Sequence, residues 1–410
     1  MNAMNKAATK RRKLLALAST PVIGALRASP FAAVLGAWAP ARAAALSSTQ
    51  ARQIVGNTVL IGQSSPRSGP AAILGNEMFE GARAAFEESN RAGGIFGRRF
   101  TLVGMDDGYD PQRCVSNTVE LLGRNVFALC GYVGTPTCAA ALPTIEQAGI
   151  PLIGLFTGSE ALRAHKPGVF HVRASYGEEC RIMTRQFLAA GADTKIAIFK
   201  QNDGYGAAVE AGMRNAMREL GVNHEPVVAS YERNTLDVAK ALDAIARSNV
   251  TAVAMAGVYG ACIELIKGLK SPKYGGVGKA MMFCSVSFIG SSGVAKALKE
   301  SPDGVGGIGI SQVMPYPFAS GSGLVTSFRK AAASIGVEPS YGALEGYCSA
   351  RTLLKGAERC GENLSRQRLV DALEADVDFG GFPLSFKPGQ HAGSRFVEMT
   401  VFDAHGRLLR

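Results

Sequence analysis

Twice along the chain a short apolar run gives way to a helical stretch and then to another apolar run, and this alternation constrains the fold more than any other feature. NTVLIGQSS (57–65) reads as a strand, GNEMFEGARAAFEESNRAGG (75–94) as an amphipathic helix stopped by Gly-Gly, and RRFTLVGMDD (98–107) as a strand. PQRCVSNTVELLGR opens with proline and reads as a helix, FALCGYV as a strand, CAAALPTIEQAG as a helix and IPLIGLF as a strand. The pattern restarts at TKIAIFKQN (194–202) and runs through GAAVEAGMRNAMRELG, PVVASY, LDVAKALDAIARS, TAVAMAGV, GACIELIKGLKS and KAMMFCSVS. Strands joined by helical crossovers form parallel sheets covered on both faces. Two such sets predict an α/β fold of two doubly wound parallel-sheet lobes, and 410 residues are too many for one ordinary core.

The first residues stand apart from this alternation. Lys10, Arg11, Arg12 and Lys13 precede an apolar run from Leu14 to Leu26, and small residues culminate in Ala41-Arg42-Ala43. That order predicts an export signal peptide over 1–43, cleaved near Ala43, and a periplasmic location. The adjacent arginines fit a twin-arginine signal, and a general secretory signal fits as well. Pro21, Arg27 and Pro30 interrupt the ~20 apolar residues that a spanning helix needs, so no stable membrane insertion is expected after cleavage. Residues 1–43 hold seven Lys/Arg and no acid, so the chain's net charge of +11 falls to +4 without them. A nucleic-acid partner loses its support.

The eight cysteines are scattered without CxxC or Cys/His pairs of zinc type, and neither metal nor cofactor is expected. A disulfide is conceivable only among Cys114, Cys130 and Cys138. GVGGIG (304–309) satisfies a dinucleotide fingerprint by letter, yet a helix-like stretch precedes it where a strand is required. Five dispersed histidines with no nucleophile elbow give no hydrolytic constellation, and no enzyme is expected.

What remains is a set of loops at strand ends. GTPT (134–137) and FTGS (156–159) each follow a strand and offer a hydroxyl and free backbone amides, where parallel sheets place their ligands and helix N-termini attract anions. QNDGYG (201–206) and AGVYGA (256–261) occupy the same edge of the second set, each with a tyrosine just past a strand. Two such edges facing one another form a cleft that can hold a small molecule but has no means of transforming it.

The ordered series NTVLIGQSSPRSGPAAILGNEMFEGARAAFEESNRAGGIFGRRFTLVGMDDGYDP, GTPT, PLIGLFTGSEAL and RASYGEE resembles the type I periplasmic substrate-binding proteins of ABC importers, the leucine/isoleucine/valine-binding family. The resemblance runs from about Ile54 to the end of the chain. It implies two lobes joined by three crossover strands, expected near Phe170–Ala174, Ile310–Tyr316 and Val377–Leu384. The lobes would comprise residues 54–172 plus 313–378 and 173–312 plus 379–410. It further implies that Thr135, Pro136, Thr137, Thr157, Gly158 and Ser159 receive a solute carboxylate and that Tyr205, Val258 and Tyr259 close on it. ABC permease and ATPase subunits would then be the partners. A stand-alone sensor that presents its loaded form to a separate receptor is the alternative.

Two positions depart from the family pattern. Ser287 stands where amino-acid binders carry a glutamate for the ligand ammonium, and Leu74 where they offer a tyrosine. Without that acid, binding is expected to depend on the solute carboxylate more than on any ammonium.

Overall fold

The computed structural model describes residues 54–410, apart from 192, 301–305, 320, 404 and 405. The expected signal peptide and its cleavage site lie outside the described residues.

In chain order the elements are β1 (Ile54–Val55), β2 (Thr58–Ser65), α1 (Ala72–Arg91), β3 (Arg99–Asp106), α2 (Pro111–Gly123), β4 (Ala128–Cys130), α3 (Thr135–Gln147), β5 (Leu152–Ile153) and β6 (Val169–Phe170). There follow α4 (Tyr176–Ala189), β7 (Ile196–Gln201), α5 (Gly204–Glu219), β8 (Val227–Tyr231), α6 (Ala239–Ala246), β9 (Ala252–Ala256), α7 (Tyr259–Lys270), β10 (Met282–Ser285), a single turn at Ser287–Ile289, α8 (Ser291–Glu300) and β11 (Ile308–Gln312). The chain ends with α9 (Gly323–Ala333), α10 (Tyr341–Cys360), α11 (Arg366–Leu373), β12 (Val377–Asp378), β13 (Pro383–Leu384), β14 (Glu398–Phe402) and β15 (Leu408–Leu409).

Two sheets organise these elements. In the first, β3, β2, β4, β5 and β6 run parallel in that spatial order, with β1 folded antiparallel onto the start of β2. In the second, β8, β7, β9, β10 and β11 run parallel, and β14 and then β15 add antiparallel strands beyond β11. One face of the first sheet packs on α1, α9, α10 and α11 through Val59, Ile61, Phe86, Phe328, Leu353 and Leu369. Its other face packs on α2 and α3 through Leu121, Leu129, Leu142 and Ile145. The second sheet is covered likewise, with Ile245, Leu265 and Val294 on one side and Met183, Val209 and Met213 on the other.

Local chemistry sets the element ends. Asp110 accepts from the Arg113 amide at 2.9 Å to cap α2, with proline as its first helical residue. At the other end of β3, the buried Asn90 side chain donates to the Phe100 carbonyl and accepts from the Phe100 amide, both at 2.8 Å, tying the end of α1 to the sheet. Helices α1 and α10 approach so closely that a Cβ on Gly81 would lie 1.8 Å from the Ala343 carbonyl, and one on Gly346 would lie 2.2 Å from that of Met78. Only glycine allows that approach.

Two expectations require correction. The segment Val377–Leu384, expected as a crossover, is an antiparallel hairpin whose Val377, Phe382 and Leu384 bury in the first lobe's core, together with Phe386. These apolar side chains hold the hairpin to that core. The chain next runs beside the first crossing, the His171 amide donating to the His391 carbonyl at 2.8 Å, before it enters the second sheet as β14. The disulfide entertained among Cys114, Cys130 and Cys138 does not form: all three are free and buried in apolar packing.

Candidate ligand cleft

The wall of the first lobe is built at the carboxyl ends of β4 and β5. Gly134 takes φ +100°, and a Cβ there would lie 2.2 Å from the Tyr109 ring, so the loop presses against that ring. Thr135 then opens α3, with Pro136 behind it, so the free amides of the first helical turn are directed at the loop. The next loop brings Thr157 to Thr135, their hydroxyl oxygens 2.7 Å apart. The Thr157 oxygen also accepts from the Ser159 amide at 3.2 Å. The Gly158 carbonyl accepts from the Tyr176 amide at 2.7 Å, fixing this loop to the start of α4. Thr137 is used differently: its hydroxyl donates to the carbonyls of Val133 and Gly134, just before its own helix.

The second lobe contributes aromatic rings. Tyr205 lies in the first turn of α5, its amide held by the Asp203 carboxylate at 2.9 Å. Its ring centroid lies 4.7 Å from that of Phe288 and 5.5 Å from that of Tyr176. Phe288 reaches across the gap to Phe156 at 5.6 Å and Tyr109 at 5.9 Å, both in the first lobe. Together with Val258, Leu74 and Val133 these rings form one apolar cluster that continues from the second lobe into the first. The lobes are therefore in contact across the cleft. The Tyr205 hydroxyl is buried there with no hydrogen-bond partner among the described residues, and the buried Tyr176 hydroxyl lies beside Thr157 and Gly158. Burial raises the Tyr205 hydroxyl well above its ordinary pKa and keeps it a neutral donor.

The structure thus brings Thr135, Thr157, Ser159 and Tyr205 to one place. Val258 joins the cluster, but its amide is occupied by the Tyr231 hydroxyl at 3.0 Å, and the partly buried Tyr259 packs against the cluster from outside, with its ring also on Gly293 of α8. Tyr109, Phe156, Tyr176 and Phe288 escaped the sequence reading as site residues. Phe156 and Phe288 each adjoin a residue that was singled out, and that adjacency was the available signal.

Behind the rings lies a charged cluster that sequence spacing could not reveal. Arg173, fully buried, faces Glu179 at 3.1 Å and Glu345 at 3.5 Å, and also donates to the Ser287 hydroxyl. Glu179 accepts in turn from the Ser287 amide at 2.7 Å and the Ser311 hydroxyl at 2.8 Å. Ser287 therefore belongs to a polar network at the junction of the lobes, with a buried acid directly behind it. Burial raises the Glu179 carboxyl, and it raises Glu345 to about 7. Burial alone would lower Arg173, but the two carboxylates more than reverse that and hold it above its ordinary value. Among the described residues no group of acids, histidines or cysteines forms a metal-binding set, and no helix is long and apolar enough to cross a membrane.

A model of the periplasmic binding protein family matches residues 58–402. The chain belongs to that family. Its fold is that of the type I periplasmic binding proteins, and both family and fold are those of substrate-binding proteins. Among solved structures it is similar to a possible leucine/isoleucine/valine-binding protein from Rhodopirellula baltica, at 31% identity and a TM-score of 0.80 over 87% of this chain and 97% of that one. It is also similar to a substrate-binding periplasmic protein from Ralstonia solanacearum, at 28% identity and a TM-score of 0.78 over 86% and 99% of the two chains. A curated relative, Leu/Ile/Val-binding protein homolog 3 of Brucella melitensis, is 26% identical over 165 residues, 40% of this chain and 45% of that protein. The alignment spans less than half the length of that relative.

Proposed function

We propose that this periplasmic binding protein captures a small carboxylate-bearing solute between its lobes and delivers it to the permease and ATPase subunits of an ABC importer. The observation that carries this reading is the convergence of the Thr135–Thr157 hydroxyl pair, at the N-terminus of α3, with the buried, unpartnered hydroxyl of Tyr205 and the neighbouring Tyr176. Hydroxyls and helix-end amides are hydrogen-bond donors suited to a carboxylate. The rings of Tyr109, Phe156, Tyr205 and Phe288 suit an apolar or aromatic body. The names of the Rhodopirellula and Brucella relatives point to solutes of the same carboxylate class. Pro136, Thr137, Gly158, Ser159, Val258, Tyr259 and Ser287 shape and support this site. Export to the periplasm, with removal of residues 1–43, belongs to the same reading.

A thermal-shift screen of the purified protein against amino acids, aromatic acids, short dicarboxylates and the corresponding amides tests it. Acids should raise the melting temperature and their amides should not. Stabilisation by an acid and its amide alike would refute a carboxylate site.

A further inference from the structure

The first crossing and the segment that leads to β14 lie side by side. The His171 amide donates to the His391 carbonyl and the Gly393 amide to the His171 carbonyl, both at 2.8 Å, so the two segments form a short parallel ribbon. The ribbon runs on to Arg395, which pairs with Glu178 of α4 at 2.5 Å. Both histidine side chains are buried, His171 at 2% and His391 at 5% exposure. The acceptors around the two rings differ, and that difference fixes their charge.

Nε2 of His171 lies 3.2 Å from the Leu162 carbonyl, and its Nδ1 has no partner among the described residues. One N–H satisfies that ring, and burial, with Arg163, His391 and Arg173 nearby, lowers it to about 3, so it is neutral. His391 has acceptors at both nitrogens. Its Nδ1 is 3.1 Å from the Val169 carbonyl and 3.2 Å from that of Lys166, and its Nε2 is 2.9 Å from a carboxylate oxygen of Glu374, just past α11. A neutral imidazole carries a single N–H and would turn a lone pair on the carbonyls or on the carboxylate. Only the ring with both protons makes every bond. Phe170 stacks on it with centroids 4.0 Å apart, a favourable face for a cation. The other charges beside it have their own places: the Lys166 ammonium pairs with Glu146 at 2.6 Å, His165 meets the ring edge-on at 4.7 Å, and Arg163 donates to the Arg173 carbonyl at 2.6 Å.

We propose that His391 works as an imidazolium clamp: it holds the ribbon between the lobes to Glu374 and to the carbonyls of Lys166 and Val169, and the ribbon loosens when the ring loses its proton. The cationic form alone keeps the bonds at both nitrogens, so the clamp is complete in acid and is lost as pH rises through the ring's titration. Histidine ordinarily changes charge near about pH 6.5. His391 is a positioning residue, acting on the movement of the lobes through the backbone that it fixes. The inference holds whichever solute the cleft takes.

The test is amide hydrogen exchange in the purified protein without solute, with rates corrected for the intrinsic effect of pH. From about pH 5.5 to about pH 8.5, protection of the His171 and Gly393 amides should fall about tenfold, the effect of losing one charge-assisted hydrogen bond. Glu374→Gln sets an amide beside Nε2 that can donate to a neutral ring while Nδ1 still donates to the carbonyls. Protection in that variant should therefore be high at both ends of the range and independent of pH. Glu77 and Glu345 titrate in the same range but are common to both proteins, so the difference between the two profiles belongs to His391 and Glu374. Protection in the parent that does not change with pH would overturn the inference. An equal fall in Glu374→Gln, or protection lost in that variant at every pH, would overturn it as well.

Discussion

Thr135 and Thr157, on successive loops of the first lobe, share a hydrogen bond between their hydroxyls at 2.7 Å. The pair is not symmetric, because the Thr157 oxygen also accepts from the Ser159 amide. Thr135→Val leaves Thr157 with that second partner and should change the melt little. Thr157→Val strands the buried Ser159 amide and should cost about 1–3 kcal/mol. Both variants together should abolish solute-induced stabilisation, which for the parent is about 2.7 kcal/mol at a hundredfold excess over the dissociation constant. Denaturant titration with and without solute measures both effects, and a double variant stabilised as the parent is would count against the site.

Phe288 is the ring that joins the lobes, touching Tyr205 on its own side and Phe156 and Tyr109 on the other. Phe288→Ala removes a fully buried ring and should destabilise by about 3–5 kcal/mol if the cleft cannot collapse. Loss of the bridge should also expand the molecule in small-angle scattering. An unchanged radius of gyration would mean that other contacts hold the lobes together.

The glycines between α1 and α10 make an opposite pair with Gly123. Gly81→Ala drives a methyl into the Ala343 carbonyl and has to push two helices apart, so a loss of several kcal/mol is expected. Gly123→Ala, in a helix with nothing within 4 Å, should gain about 0.5 kcal/mol. Thermal melts of the two single variants decide it.

The pH dependence of stability should carry the mark of Glu77 and Glu345, each raised to about 7 by burial. A carboxyl with a raised folded-state pKa keeps its proton in the native state after the unfolded chain has released it. Its stabilising contribution is therefore complete below about pH 4.5 and is lost as pH rises through 7. Arg173, Arg163 and Glu179 face Glu345 and set the size of the effect. His171, lowered to about 3 by burial, contributes the opposite slope, so the measurement is a difference between variants. Glu345→Gln should gain stability relative to the parent between pH 4.5 and 8, and Glu77→Gln with it should gain more. A constant difference across that range would show that neither group titrates there.

Much of this fold can be read from apolar period and breakers. The helix at 72–91 ends before Gly93 and Gly94, both at positive φ, as Gly-Gly signals, and the strands at 58–65 and 99–106 lie within the alternating runs that announce them. The hairpin at 377–384 reads as a crossover in the sequence because four residues of strand carry too little pattern to distinguish a crossover from a turn. The threonine loops stand out in the sequence because two of them follow successive strands at the sheet edge where open parallel sheets place ligands, although a threonine there is as often a turn or cap residue, as Thr137 is. The Arg173–Glu179–Glu345 cluster does not stand out, since charges in sequence look solvent-exposed and only the meeting of α4, α10 and the first crossing buries them.

The second sheet is completed out of chain order. Strand β11 is buried at every residue and has β10 on one side, but its other neighbour, β14, is made only after the whole α9–β13 segment. Until Glu398–Phe402 emerges, Ile308–Gln312 presents a bare row of backbone donors and acceptors, ready to pair with any exposed strand. During synthesis the first lobe can therefore finish its core while the second still has an open flank, and the last few dozen residues decide whether the chain folds or associates with its neighbours.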